Sequence, residues 1–336
     1  MNASVLADGW GTFVSGRRAT TTTFSAGTGP SINIKHGQNV TVDVSVAPQS
    51  GAGTPTGAVV FESSIGGLTE DVAALTNGTL NSFTHNLPGG TYNLFAVYSG
   101  DGTFASSVSN SIPATVSPEN STVTLGVEPV TQFPPPIFLA SPFPTTATLP
   151  FGSAAVIDAQ IGGTSGANAF PSGTVTISAN GQPFSGALNL NSGGETELLW
   201  CFSLQTNCKG VGVYQFTAAY SGDKSYNSSS STTPVTLTVT KATPTIEWRP
   251  SEIVFGTALG SGQLNAVATF MAGLPPSATS VAGTFTYTPP AGTVLPVGRH
   301  KLSVQFTPAD TADFNTAFAQ IGIEVRPRRR SSPGRR

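Results

Sequence analysis

The chain has 336 residues, of which only 10% are charged, with 38 Gly, 26 Pro, three His, two Cys and two Met. Ser and Thr number 82, about a quarter of the chain, a composition poor in helix formers and in the residue types that catalytic and metal sites use. No run reaches the roughly 18 apolar residues that a membrane-crossing helix needs.

The formal net charge of -2 is unevenly spread. The last eleven residues, RPRRRSSPGRR, hold six Arg (326, 328, 329, 330, 335 and 336) and no acid, leaving nine basic against seventeen acidic residues elsewhere. An acidic body repels nucleic acid, whose binding rests on neutralising phosphates. Residues 327–336 are expected to be a basic disordered tail. At the other end, MNASVLADGWGTFVSG has neither the basic start nor the apolar stretch of a signal peptide. Residues 1–16 are read as a leader or the remnant of a preceding module, with truncation as the expected reason for the missing signal.

Taken in chain order, the rest is a set of short β-patterned runs between turn residues. After Thr20–Thr23 and His36-Gly37, NVTVDVSV places Val40, Val42, Val44 and Val46 on one face. PTGAVVF (55–61), YNLFAVYSGD (92–101), Phe104 and IPATV follow. The order then repeats: Phe151-Gly152, PSGTVTI (171–177), YQFTAAYSGD (214–223), Tyr226 and VTLTV. The second copy carries six extra residues around WCFSLQTNCKG (200–210), which holds both cysteines. A weaker third copy runs through Phe255-Gly256, FTYTP (285–289), HKLSVQFTPAD (300–310), Phe314 and IGIEV. Repeats of 85 to 120 residues, each with some seven short strands, predict an all-β chain of three sandwiches, beads on a string, spanning 17–117, 118–241 and 242–326. Each unit is large enough to bury its own core.

On A-x-Y-S-G-D followed by an aromatic, P-T/S-G-x-V-x-F/I, the x-Gly before a strand and the TTTT opening, the chain resembles the bacterial immunoglobulin-like repeat domains. They occur in tandem in secreted or surface-attached proteins. The third unit resembles a companion module that follows such repeats. The resemblance covers roughly residues 17 to 326. It implies tandem immunoglobulin-like β-sandwiches, export to the cell surface or beyond, and a spacer or adhesion role.

The candidate chemistry is sparse. Asp101 and Asp223 sit in glycine turns, but one carboxylate is a poor calcium site, which takes six to eight oxygens. Tyr98 and Tyr220 are expected to fill the core, Gly100 and Gly222 to permit the turn, and the Asp side chains to cap backbone N–H groups. Tyr92 and Tyr214 open a strand at the position of a tyrosine corner. Cys201 and Cys208 are expected to form a local disulfide in an oxidising compartment, free thiols or a redox pair being the alternatives. Trp200 beside Cys201 either packs on that disulfide or presents itself at a loop tip, where it is the chain's best candidate for surface binding. Trp10, Trp200 and Trp248 fall at unrelated places and make no repeated platform. His36, His85 and His300 are not expected to converge, and no G-x-S-x-G elbow, Walker loop or dinucleotide fingerprint appears. Glu70-Asp71 would point to opposite faces of a strand, wrong for a glycosidase pair.

The expectation is therefore a non-enzymatic extracellular spacer or adhesion stalk, a monomeric segment of a longer chain, with no cofactor, metal or nucleic acid. Pro-bearing linkers at Val116-Ser117-Pro118 and Lys241-Ala242-Thr243-Pro244 limit bending between beads. The alternatives are a module gripping a glycan or protein with the Trp200–Lys209 loop, and an accessory segment of a larger secreted enzyme.

Overall fold

A computed structural model of the chain describes residues 16–27, 29–65, 72–84, 87–130, 143–166, 170–201, 208–273 and 276–328. The leader, Trp10, Glu70-Asp71, His85 and the tail from residue 329 lie outside these. Among the described residues there is no helix, and so none long and apolar enough to cross a membrane.

The strands fall into three groups. The first holds β1 (Thr20–Ala26), β2 (Ile32–Lys35), β3 (Val40–Pro48), β4 (Ala58–Ser63), β5 (Val72–Ala74), β6 (Thr79–Thr84), β7 (Gly90–Tyr98), β8 (Ser107–Val108) and β9 (Ile112–Ser117). The second holds β10 (Ser121–Val130), β11 (Thr146–Pro150), β12 (Ala154–Gly163), β13 (Thr174–Ala179), β14 (Gln182–Pro183), β15 (Leu188–Asn189), β16 (Glu195–Trp200), β17 (Gly212–Tyr220), β18 (Ser229–Ser230) and β19 (Val235–Thr240). The third holds β20 (Thr245–Glu247), β21 (Ile253–Val254), β22 (Val267–Ala272), β23 (Ser277–Ser280), β24 (Gly283–Thr288), β25 (Gly298–Pro308) and β26 (Ala317–Arg326).

Each group is a two-sheet sandwich. One sheet has three strands, ordered β1-β3-β6, β10-β12-β16 and β20-β22-β23. The facing sheet runs β2-β9-β7-β4-β5, β11-β19-β17-β13-β14 and β21-β26-β25-β24. In every module the opening segment supplies an edge strand to both sheets. Its second half pairs in parallel with the module's last strand, as in Ile32↔Ala114, Ala147↔Leu237 and Ile253↔Val325. The remaining ladders are antiparallel.

Period-2 patterning explains these faces. In β3 the four valines alternate buried and exposed against their neighbours, and Tyr92, Leu94, Ala96 and Tyr98 of β7 are all buried. In the threonine-rich opening the inward positions carry hydroxyls. Thr20 and Thr22 are buried, and both hydroxyls meet Ser107 Oγ at 2.7 Å. Each module has its own core, centred on Val42, Val59 and Tyr98, on Ile157, Ile177, Trp200 and Phe216, and on Trp248, Leu302 and Val304.

The strand ends define two poles per sandwich. In the first module the end of β2, the start of β7 and the end of β9 share one pole, from which the chain leaves. In the second, the start of β10 and the ends of β12 and β17 form the entry pole. The end of β11, the start of β17 and the end of β19 form its exit pole.

Candidate functional site

The Y-S-G-D turns are closed structural knots. Asp101 Oδ2 accepts from the Thr56 N–H (2.8 Å) and hydroxyl (2.9 Å), and Oδ1 from the Thr103 and Phe104 N–H groups (both 2.7 Å). Asp223 repeats the set on Ser172, Ser225 and Tyr226. Burial would raise each carboxyl, but the four donors more than offset it and hold both below the ordinary carboxylate range. Their lone pairs are committed to donors, so neither faces outward as a ligand. Gly100 and Gly222 lie at φ +83° and +79°, and a Cβ on Gly100 would meet the Phe104 carbonyl at 3.0 Å. Tyr98 and Tyr220 cross the turn to donate to the Thr56 and Ser172 carbonyls, each at 2.6 Å. The third module keeps part of this design: Asp310 accepts from the Ala312 and Asp313 N–H groups, and Phe306 stands where the tyrosines do.

At the opposite pole, the Tyr92 hydroxyl donates to the Pro88 carbonyl (2.9 Å) and Tyr214 to the Gly210 carbonyl (2.8 Å), each four residues back. Burial pushes Tyr92 up to about 12. His300, two residues after Gly298 as the tyrosines are after Gly90 and Gly212, places Nε2 2.7 Å from the Pro296 carbonyl. A histidine thus takes the corner role in the third module, a substitution that the sequence pattern alone did not reveal.

The structure corrects the surface-binding reading of Trp200. Its side chain is 1% exposed, stacked on Phe184 at 5.6 Å and within 6 Å of the Tyr214 and Phe216 rings. Trp200 ends β16 on the inward face, so the alternation that buries Thr196 also turns the indole into the core. Cys201 and Cys208 are joined as a disulfide, with Cys201 fully buried against the same core. Residues 202–207 of the loop lie outside the described set. Trp248 is likewise buried just past β20, its Nε1–H donating to the Gln263 carbonyl at 2.7 Å.

The least expected geometry lies between modules. His36, placed between β2 and β3, is 2% exposed, and its Nδ1 meets Glu119 Oε1 of the second module at 2.7 Å. Glu119 also accepts from the Ser165 N–H (2.8 Å), the Ser165 hydroxyl (2.9 Å) and the Thr164 hydroxyl (3.3 Å). The Tyr226 ring stands edge-on to the imidazole at 4.8 Å. At the next boundary the same three positions read Phe151, Ala242 and Phe314. The Phe151 and Phe314 rings are 5.4 Å apart, and Phe270 joins them. The equivalence is fixed by the backbone: Glu119 bridges Tyr226, and Ala242 bridges Phe314, in the same parallel manner. A further contact recurs as Gly89 N–H to Ser225 Oγ (2.9 Å) and Val211 N–H to Asp313 Oδ1 (2.8 Å). The exit pole of one sandwich therefore seats on the entry pole of the next, twice, through one set of positions.

Residues 27–117 and 142–240 match the family described as bacterial Ig-like domain (group 3), which covers more than half of the chain. The chain belongs to this family. No curated protein matches it by sequence. Among solved structures it is similar to the Yersinia pseudotuberculosis adhesin InvE, at 15% identity over 74% of this chain and 67% of that one, with a TM-score of 0.34. Others are the D0-D1 domain of intimin (12% identity, 63% and 98% covered, TM-score 0.22) and domains A168-A170 of titin (13%, 93% and 100%, TM-score 0.31).

The bacterial Ig-like assignment accounts for the two-sheet modules and for turn motifs whose polar groups are spent internally. Among the described residues no group of three or more His, Cys, Asp or Glu side chains is gathered to hold a metal ion. The two histidines within the described set lie in different modules, one on Glu119 and one on a backbone carbonyl. What the polar residues do here is position backbone: they close turns, fix strand starts and join poles.

Proposed function

We propose that the chain is a non-enzymatic spacer of the bacterial cell surface or extracellular space, three Ig-like sandwiches long, that holds whatever it carries away from its point of attachment. The observation that carries this reading is the pair of pole-to-pole joints. Short Pro-bearing linkers limit bending but do not fix the direction of one sandwich against the next. Here Glu119 and Ala242, the residues that begin the second and third modules, are built into the poles they leave. A joint in which buried side chains from both modules interlock restricts bending more than a short Pro-bearing linker does. The composition suits the role, since low charge with many hydroxyls favours a hydrated surface, and the acidic body disfavours nucleic acid. An adhesive function would sit on outer faces or loops, and the burial of Trp200 removes its leading candidate.

Small-angle X-ray scattering tests the reading. The long strands have nine to eleven residues, so each sandwich is about 30–36 Å along its strands. Three end to end give a maximum dimension of roughly 100 Å or more. A compact globule of this length has a radius of gyration of about 20 Å, and that result would contradict a spacer.

A further inference from the structure

The two joints use equivalent positions but opposite chemistry, and the consequence follows from the donor count around Glu119. We propose that the joint between the first and second modules is an acid-released latch, whereas the joint between the second and third is not, so that acidification turns a stiff three-module rod into a rod with one hinge.

The geometry of the latch is unusually complete. Glu119 is 1% exposed, and both carboxylate oxygens are met only by donors: His36 Nδ1–H and the Ser165 hydroxyl on Oε1, the Ser165 N–H and the Thr164 hydroxyl on Oε2. A carboxylate is acceptor-only, so the facing imidazole nitrogen carries its proton whether the ring is neutral or charged. Protonating Glu119 removes the charge on which the His36 and Ser165 N–H groups converge, and bonds to a neutral carboxyl are about half as strong as those to a carboxylate. Buried polar groups whose bonds are weakened are costly to keep out of water, and here separating the modules returns them to it, because His36 and Glu119 belong to different ones.

The surroundings offer no substitute. Facing the pair are the Tyr226 ring from the second module and the Gly163–Ser165 segment at the end of β12, which has no ionisable side chain. Lys35, adjacent to His36, is exposed, and so is Lys224, whose backbone packs on Gly89. Asp223 is the nearest other acid along the Tyr226 loop, and its oxygens are held by the Ser172, Ser225 and Tyr226 donors. The joint tolerates little displacement, since a Cβ on Gly37 would lie 2.1 Å from Ser165 Oγ, the closeness at which the poles meet.

Burial would raise the Glu119 carboxyl, but its bonds to His36 and Ser165 lower it below the ordinary value. The sign follows: the joint's stabilisation is present above the ordinary carboxylate pKa and is lost as pH falls through the lowered, docked value. The second joint differs in kind. Phe151, Phe270 and Phe314 do not titrate, and the half-buried Asp313 accepts the Val211 N–H across the joint, which a neutral carboxyl can still do through its carbonyl oxygen.

The experiment is pulsed dipolar spectroscopy on the full oxidised chain. Spin-label pairs on Thr41→Cys with Thr148→Cys, and on Thr148→Cys with Ser280→Cys, report the first and second joints from neutral pH down to about pH 3, with circular dichroism confirming folded modules. The expected result is a narrow first-joint distance distribution at neutral pH that broadens on acidification, while the second-joint distribution stays narrow. Glu119→Gln, which places a donor where the protonated acid would have one, should be broad already at neutral pH. The double variant His36→Phe with Glu119→Ala copies the second joint's chemistry and should stay narrow at every pH. A wild-type first joint that stays narrow in acid, a Glu119→Gln joint as narrow as wild type, or equal broadening of both joints would overturn the proposal. Any of these would leave the spacer reading standing, since that reading concerns the extended shape at neutral pH and its own scattering test.

Discussion

Truncating Trp200 to alanine should open the second module while leaving its neighbours intact. The indole is buried and touches three aromatic rings, Phe184, Tyr214 and Phe216, that join the two sheets. Deleting a fully buried tryptophan costs about 3–5 kcal/mol through lost transfer energy and the residual cavity. At 1.4 kcal/mol per factor of ten, that is a rise of roughly 100-fold or more in the open population. Amide hydrogen exchange on the whole chain reads this directly, because core strands open only with their cooperative unit. Protection in β13 and β17 should fall by that factor, and protection in β3, β7 and β25 should not change. A cost below about 1 kcal/mol would refute the packing argument and return Trp200 to the surface, as would a loss spread evenly over all three modules.

Smaller perturbations should rank by the bonds they remove. Tyr220→Phe leaves the Ser172 carbonyl without its 2.6 Å donor and should cost about 1 kcal/mol, seen as a shift of only the second calorimetric transition. Asp223→Ala removes an acceptor of four hydrogen bonds, and at a part-exposed site should cost about 1–3 kcal/mol. Because the folded Asp223 carboxyl is held low, its contribution is present above the usual carboxylate pKa and fades as pH falls through the folded value. The variant should therefore flatten the acid side of the second module's stability profile, and an unchanged profile would deny Asp223 that role. Reducing Cys201–Cys208, which closes a separation of seven residues, should lower the second transition by about 2.5 kcal/mol in the chain-entropy model, with the first and third unmoved.

The modules were legible because their signals are local. Alternating valines in β3 and the paired tyrosines of β7 and β17 announce which face is buried, and the Asp-bearing turns announce the caps. Trp200 was ambiguous because a residue at the boundary between a strand and an inserted loop belongs to the core or the loop by a one-residue change of phase. The joints were half legible. The recurrence of His36, Phe151 and Phe255 before a glycine, and of Phe104, Tyr226 and Phe314 after the turn, could be read along the sequence. That members of these two series meet across a boundary could not, since His36 and Glu119 are 83 residues apart and their pairing follows from which poles face each other. A polar series at one boundary and an aromatic one at the next also hides the equivalence from residue type. The missing signal was the residue opening each module, Glu119 or Ala242, whose backbone bridge to the aromatic sets the joint.

The central claim, three separately cored sandwiches in series, is tested most directly by pulling the chain from its ends in a force spectrometer. Modules of about 80–120 residues, at up to about 3.6 Å per extended residue and less the folded length of about 30–36 Å, should give three unfolding events, each releasing roughly 250–400 Å of chain. One event releasing the whole length at once would show a single cooperative body and contradict the account.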